Sequence, residues 1–184
     1  MKLTNGITFV FGGARSGKSR IAENLVLSCG LKPVYIATGR ASDEEMSERI
    51  AIHQERRGDA WELVEEPLAL ADAISQCAHP GRAILIDCLS MWVSNLMLAG
   101  ADPVRECKLM VETASQAGVP VVFVSTEVGM GIVPVNDLAR DFRDKVGVIH
   151  QHVAEAAAAV YFVAAGLPLA MKEPAAEAVL KKAG

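Results

Sequence analysis

The sequence predicts an α/β fold, a mostly parallel sheet flanked by helices in three layers. Short runs with hydrophobes at nearly every position recur along the chain, which is how strands buried on both faces of a parallel sheet read. Longer stretches with helical spacing lie between them, and strands alternating with helices imply right-handed βαβ crossovers. At 184 residues and 51% hydrophobic, the chain can bury one sizeable core, so a single domain spanning residues 1–184 is expected.

The elements follow in order. Ile7-Thr8-Phe9-Val10-Phe11 reads as the first strand. A Gly-rich stretch follows it, then an amphipathic helix with Ile21, Leu25 and Val26 on one side. Val34-Tyr35-Ile36-Ala37 is the second strand, and Ala83-Ile84-Leu85-Ile86, ending in Asp87, the third. Ala99-Gly100-Ala101-Asp102-Pro103 is a surface loop between two helical stretches. Val119-Pro120-Val121-Val122-Phe123-Val124 is the fourth strand, Val160-Tyr161-Phe162-Val163 the fifth, and Leu167 to Met171 a short final one. The Ala/Lys-rich tail, Glu173 to Gly184, is a short helix or a frayed end with no function assigned.

Composition excludes several classes of function. Mean hydropathy is +0.27 and 22% of residues are charged, which is incompatible with intrinsic disorder. Eighteen basic against 22 acidic residues leave a net charge of −4, so no basic surplus points to nucleic acid. Aromatic residues are only 5%, which argues against stacking platforms for single strands. No run approaches the roughly 18 uncharged apolar residues of a membrane span. The longest, Val153 to Pro168, carries Glu155. The N-terminus lacks a signal peptide's long apolar region and cleavage site, so a cytoplasmic protein is expected. Cys29, Cys77, Cys88 and Cys107 are scattered without a Cys-x-x-Cys pair, and read as reduced, mostly buried thiols.

The strongest local signal is Gly12-Gly13-Ala14-Arg15-Ser16-Gly17-Lys18-Ser19, which satisfies G-x-x-x-x-G-K-[ST] between a buried strand and a helix. Glycines let the backbone curl so that successive N–H groups point at phosphate oxygens, and the helix beginning near Lys18 adds its positive end. Lys18 supplies a cation between the β- and γ-phosphates, and Ser19 a hydroxyl for Mg²⁺. Asp87, at the end of a neighbouring strand, is placed to hold Mg²⁺ directly or through water, the Walker B pattern; a turn or N-cap Asp ahead of Ser90 is the alternative. The fold expected is therefore a P-loop NTPase (RecA-like) domain. The loop alone does not separate kinase, NTPase switch and transferase.

Two further stretches narrow the reading. Asp43 to Arg57 has helical character, with Ser42 or Asp43 as cap and Glu44 and Glu45 in the first turn. Met46, Ile50, His53 and Arg57 share one face of it. On the residues alone, a packed, hydrogen-bonded His53 is the simpler reading, although a neutral imidazole can also attack phosphorus at neutral pH. The stretch Ser125 to Pro134 follows the fourth strand at the sheet's C-terminal edge, where open α/β folds bind ligands. Gly129 and Gly131 around Met130 suggest a loop lying against a substrate, and an ordinary strand–helix connection is the alternative.

Together these segments resemble the bifunctional adenosylcobinamide kinase/adenosylcobinamide-phosphate guanylyltransferase family of cobalamin assembly, from about Ile7 to Met171. The matching pieces are residues 12–19, Tyr-Ile-Ala-Thr at 35–38, Arg-Ile-x-x-His at 49–53, Arg57, Trp61, Leu-Ile-Asp-Cys-Leu-Ser at 85–90, Asn95, Glu-Val-Gly-Met-Gly-Ile-Val-Pro at 127–134, Leu-Ala-Arg at 138–140 and Phe-Arg-Asp at 142–144. The 127–134 run and the placed His are far more specific than the loop.

The resemblance implies a chemistry that the bare residues only permit. The hydroxyl of cobinamide's aminopropanol arm first takes the γ-phosphoryl of ATP or GTP. A His then attacks the α-phosphorus of GTP, and its GMP passes to adenosylcobinamide phosphate. By motif position His53 is the guanylylated residue and Lys18 acts with it. The residues implied to contact the nucleotide are Gly12 to Ser19, Thr38, Gly39, Arg40, Glu55, Arg56, Arg57, Gly58, Glu65 and Asp87, with Ser19 and Asp87 on Mg²⁺. A homo-oligomer, a trimer, is also implied. A single-activity P-loop kinase with a structural His53, or a GTP-binding switch without transfer chemistry, are the alternatives, and the 127–134 run argues against both. The chain departs from the family pattern at Gly58 (usually Pro), Thr126 (usually Asn), Val135 (usually Glu), and His150 and His152 (usually Asn-Gln and a non-His residue). His150 and His152 would not face each other on a helix, so a metal pair there is not expected.

Overall fold

The computed structural model describes Met1, residues 3–39 and residues 60–175. Its centre is a seven-stranded sheet. β1 (Ile7–Gly12) leads into α1 (Lys18–Leu27) and β2 (Lys32–Ala37). Then come β3 (Glu62–Glu65), α2 (Leu70–Cys77), β4 (Arg82–Asp87), α3 (Leu89–Leu98) and α4 (Pro103–Gln116). β5 (Val121–Thr126), α5 (Asp137–Ala156), β6 (Ala159–Ala164) and β7 (Leu167–Lys172) complete it. The strand order is β3-β2-β4-β5-β1-β6-β7, parallel throughout except for the antiparallel β6–β7 pair.

Alternation along the strands makes the layers, because successive side chains point to opposite faces. Phe9, Ile84, Ile86 and Phe123 join Leu70, Trp92, Met110 and Ile149 of α2 to α5 in one core. Val10, Tyr35, Leu85, Val122 and Val124 face the other way and pack on Ala22, Leu25 and Val26 of α1. Each fully buried large side chain contributes roughly 1.5–3 kcal/mol. The doubly buried strands β1, β4 and β5 therefore carry the fold, and their C-terminal ends are held rigidly where the site lies.

The strands read from continuous apolar runs are present, with β2 starting earlier, at Lys32, and the fourth run shifted two residues on, to Val121–Thr126. Pro120 has no N–H to give a ladder and stands just before the strand, its carbonyl accepting from the Ile84 N–H at 2.9 Å. β3 has no counterpart in the sequence reading. It is a four-residue edge strand, alternately half-buried and exposed, and Glu62 ties it to Lys32 of β2 (2.7 Å) and Arg82 of β4 (3.0 Å). The helix read over Asp43–Arg57 lies outside the described residues, as does the tail from residue 176. The loop at Ala99–Asp102 is capped into α4, where Asp102 accepts the Val104 and Arg105 N–H groups and Pro103 opens the helix. β7 is exposed at every residue, so its apolar Leu167 and Leu169 do not enter the core.

His150 is a packing residue. Its Nε2 lies 2.7 Å from the Ser125 hydroxyl, and its ring meets Phe9 and Phe11 edge-on at 5.3 and 5.5 Å. Burial pushes its pKa down to about 4, with Glu127 pulling the other way. The unfolded chain, with an imidazole near 6.5, therefore takes up protons that the folded chain refuses. Stability is predicted to fall as pH drops from 6.5 towards 4, by of the order of 3 kcal/mol, and to be independent of this group above 6.5. Urea midpoints across that range check this. His150→Asn should flatten the slope, and an unchanged slope would assign it to other groups.

The β6–β7 hairpin turns on Ala165 and Gly166, with φ of 51° and 78°, as a two-residue type I′ turn requires. Alanine is strained in that left-handed conformation, which asparagine tolerates better. Ala165→Asn is predicted to stabilise the chain by about 0.5–1 kcal/mol, read as a higher denaturation midpoint. A lower midpoint would refute the strain.

Candidate active site

The C-terminal ends of β1, β2, β3, β4 and β5 lie side by side: Gly12 pairs with Thr126, Ala37 with both Asp87 and Glu65, and Asp87 with Val124. The phosphate loop closes this edge. β1 ends at Gly12, whose added Cβ would fall 2.2 Å from the Val163 carbonyl oxygen of β6, so no side chain fits. Gly17, at φ 93°, turns the chain into α1 without any side-chain cap on the first helical N–H groups. A helix start of that kind presents unpaired donors to an anion.

The side chains of the loop converge on the same place. Lys18 is buried, and its Nζ donates back to the Gly13 carbonyl at 3.2 Å, holding the ammonium over the loop. Ser16 is buried too, and its Oγ has no hydrogen-bond partner among the described residues. An orphan hydroxyl costs about 1–3 kcal/mol, a debt that a bound phosphate oxygen would cancel. Ala14 and Arg15 are exposed at the loop's tip, and Ser19 is half-buried in the first turn of α1.

Asp87 does not cap the following helix; Cys88 occupies the N-cap position of α3. The Asp87 Oδ2 accepts from the Tyr35 hydroxyl at 3.0 Å, which orients the carboxylate at the sheet's edge. Cys88 beside it is no nucleophile, because burial and the Asp87 charge push its thiol up to about 11. The donor set suits Mg²⁺: a hydroxyl from Ser19 and a carboxylate from Asp87 are hard oxygen ligands.

Thr38 is buried and fully engaged. Its hydroxyl donates to the Cys88 carbonyl at 2.8 Å and accepts from the Cys88 N–H at 2.9 Å, while its own N–H donates to the Asp87 carbonyl. Asn95 of α3 donates to the carbonyls of Thr38 (2.8 Å) and Pro67 (3.1 Å). Thr38 and Asn95 thus lock the end of β2 to the Asp87–Cys88 corner. Gly39 is half-buried just beyond, and Glu65 is exposed at the end of β3. Arg40, His53, Glu55, Arg56, Arg57 and Gly58 lie outside the described residues.

The 127–134 stretch is braced from within. The Glu127 N–H donates to the Gly12 carbonyl at 2.9 Å, and its carboxylate accepts from the Gly129 and Met130 N–H groups. Arg140 holds the far end through the Pro134 carbonyl at 2.8 Å. Between these anchors Met130 and Ile132 stand 77% and 97% exposed beside the loop. The positioning roles of Tyr35 and Asn95 were not foreseen from sequence. The available signal was a polar-tipped aromatic in an otherwise aliphatic buried strand.

Comparison with known proteins completes the picture. The family described as cobinamide kinase/cobinamide phosphate guanyltransferase matches residues 8–171. A Pseudomonas aeruginosa protein named bifunctional adenosylcobalamin biosynthesis protein CobP is 45% identical over 166 residues, covering 89% of this chain and 95% of that protein. Proteins named bifunctional adenosylcobalamin biosynthesis protein CobU are 36% identical in Escherichia coli and 38% in Salmonella typhimurium, covering 89% of this chain and 98% of each. Among solved structures, an ATPase from the type III secretion system of pathogenic bacteria superposes with a TM-score of 0.55 at 13% identity. The match covers 95% of this chain and 60% of the ATPase chain, and it speaks for the fold alone. With its phosphate loop, its Asp87 strand and a family match over nearly its whole length, the chain belongs to the cobinamide kinase/cobinamide phosphate guanylyltransferase family.

Proposed function

We propose that this chain phosphorylates adenosylcobinamide and then guanylylates the product, using one nucleotide site for both reactions. The observation that carries the proposal is the family match over residues 8–171, which takes in the phosphate loop at 12–19 and Asp87 at the end of β4. In the first reaction the aminopropanol hydroxyl oxygen bonds to the γ-phosphorus of ATP or GTP, the β–γ bridge breaks, and the hydroxyl proton is lost. In the second, a ring nitrogen of His53 bonds to the α-phosphorus of GTP and pyrophosphate leaves. The phosphate oxygen of adenosylcobinamide phosphate then takes the GMP and frees the imidazole, which splits one hard displacement into two easier ones.

The chain's own residues supply position and charge, which is most of what phosphoryl transfer needs. The backbone N–H groups of residues 13–19 hold the phosphates, and Lys18 neutralises charge as it develops. Ser16 offers the hydroxyl that lacks a partner among the described residues. Ser19 and Asp87 would hold Mg²⁺, which when bound neutralises phosphate charge and draws the phosphoryl oxygens into line. Thr38 and Tyr35 keep the Asp87 corner in place. Four free cysteines fit a reducing, cytoplasmic setting, and the exposed apolar side chains of the edge strand β7 fit a homo-oligomer.

His53→Ala is predicted to abolish the covalent GMP adduct formed with α-labelled GTP while phosphorylation of adenosylcobinamide continues. A labelled variant would refute the assignment. Lys18→Ala is predicted to lower kcat/KM of both steps by roughly 10²–10³-fold, measured separately for phosphate and GMP transfer. Loss confined to one step would show that the loop serves only that one.

A further inference from the structure

We propose that the β6–β7 hairpin is a brace for the phosphate loop, with Gly166 as a positioning residue for nucleotide in both reactions. The proposal rests on reading residues 12–19 as the nucleotide site. Three backbone approaches carry it. At Gly12 the loop's first residue lies so close to the Val163 carbonyl of β6 that any Cβ would clash at 2.2 Å. At Gly17 an added Cβ would sit 3.3 Å from the Gly166 Cα, so two glycines meet face to face. Between them the Gly166 N–H donates to the Ser16 carbonyl at 2.8 Å.

The last bond has a directional consequence. In a two-residue hairpin the flanking residues, here Ala164 and Leu167, pair with each other and leave the N–H of the second turn residue outside the ladder. Gly166 gives that spare donor to the loop. Carbonyl and N–H point in opposite directions across a trans peptide. Fixing the Ser16 carbonyl on the hairpin therefore turns the Gly17 N–H away from it, as a fixed donor for an anion at the start of α1. The hairpin thus sets one peptide of the cradle before ligand arrives, and preorganisation of that kind raises affinity by removing an ordering cost. It also accounts for Ala165 and Gly166 both standing at positive φ: the tight turn brings the donor within reach.

Position 166 has space for a side chain, since an added Cβ would lie 3.8 Å from the nearest atom, the Arg20 guanidinium. What it requires is the N–H and the positive φ of 78°. Gly166→Pro removes both, and Gly166→Asn keeps both. With thermal unfolding as the check on folding, the binding of a fluorescent N-methylanthraniloyl-GTP with Mg²⁺ is compared across parent and variants. The proline variant should bind roughly tenfold more weakly and the asparagine variant within about twofold. In turnover, nucleotide KM should rise in both half-reactions while the KM for the corrinoid acceptor stays put, a split that a merely structural defect would not produce. If the proline variant does not fold, a glycine inserted between residues 165 and 166 displaces the same N–H and is read the same way. A folded variant of either kind that binds as the parent does would overturn the brace. A parent chain that binds no nucleotide would overturn the underlying reading, and the brace with it.

Discussion

Backbone meets backbone at the phosphate loop, and the rest of the molecule is arranged around that contact. Gly12 has no room for a Cβ because β6 passes behind it, and Gly17 needs a left-handed φ to hand the chain to α1. Both conditions follow from packing β1 centrally, between β5 and β6, with its end buried. A loop so confined has little room to move, which favours donors set by the fold. The apolar strands that confine it also bury Lys18 and leave the Ser16 hydroxyl without a partner among the described residues. The free energy of the core is in part spent on holding an anion site ready.

The opposite side of the site is built by polar clamping. Thr38 grips the Cys88 peptide in both directions, Asn95 grips Thr38, and Tyr35 grips Asp87. Each bond is modest alone, about 1 kcal/mol net, but together they fix a carboxylate at a strand end facing the loop. Net charge is −4, so the protein's overall field does not draw in a nucleotide. On the proposed reading the anion is held locally, by Lys18, N–H groups and a shared cation. One small domain running two phosphorus chemistries is then economical if one site serves both, since each needs a nucleoside triphosphate held still and they differ in which phosphorus is attacked.

Much of this was legible in the residues, for physical reasons that also mark the limits. Strands β1, β2, β4, β5 and β6 read clearly because burial on both faces demands hydrophobes at nearly every position. β3 did not, because a short edge strand with Glu at both ends, Glu62 and Glu65, carries no such pattern. β7 was read as a strand, but Leu167, Leu169 and Met171 gave no hint that they stay exposed. The phosphate loop was visible as a motif with its flanking strand and helix. The Tyr35–Asp87 and Gly166–Ser16 contacts were not, because they join residues 52 and 150 positions apart, and local spacing says nothing about such pairs. His150, a departure from the family pattern, is explained by the Ser125 hydroxyl and the two phenylalanines around it.

The central claim is that a single nucleotide site serves both transfers. It is tested most directly by the stoichiometry of a GTP analogue with a methylene bridge between the α- and β-phosphorus, which cannot guanylylate the protein. Equilibrium dialysis with Mg²⁺ at saturation should give one analogue per chain, competed fully by ATP or whichever triphosphate drives the kinase step, and lost in Lys18→Ala. Two analogues per chain, or one that persists in Lys18→Ala, would contradict the account.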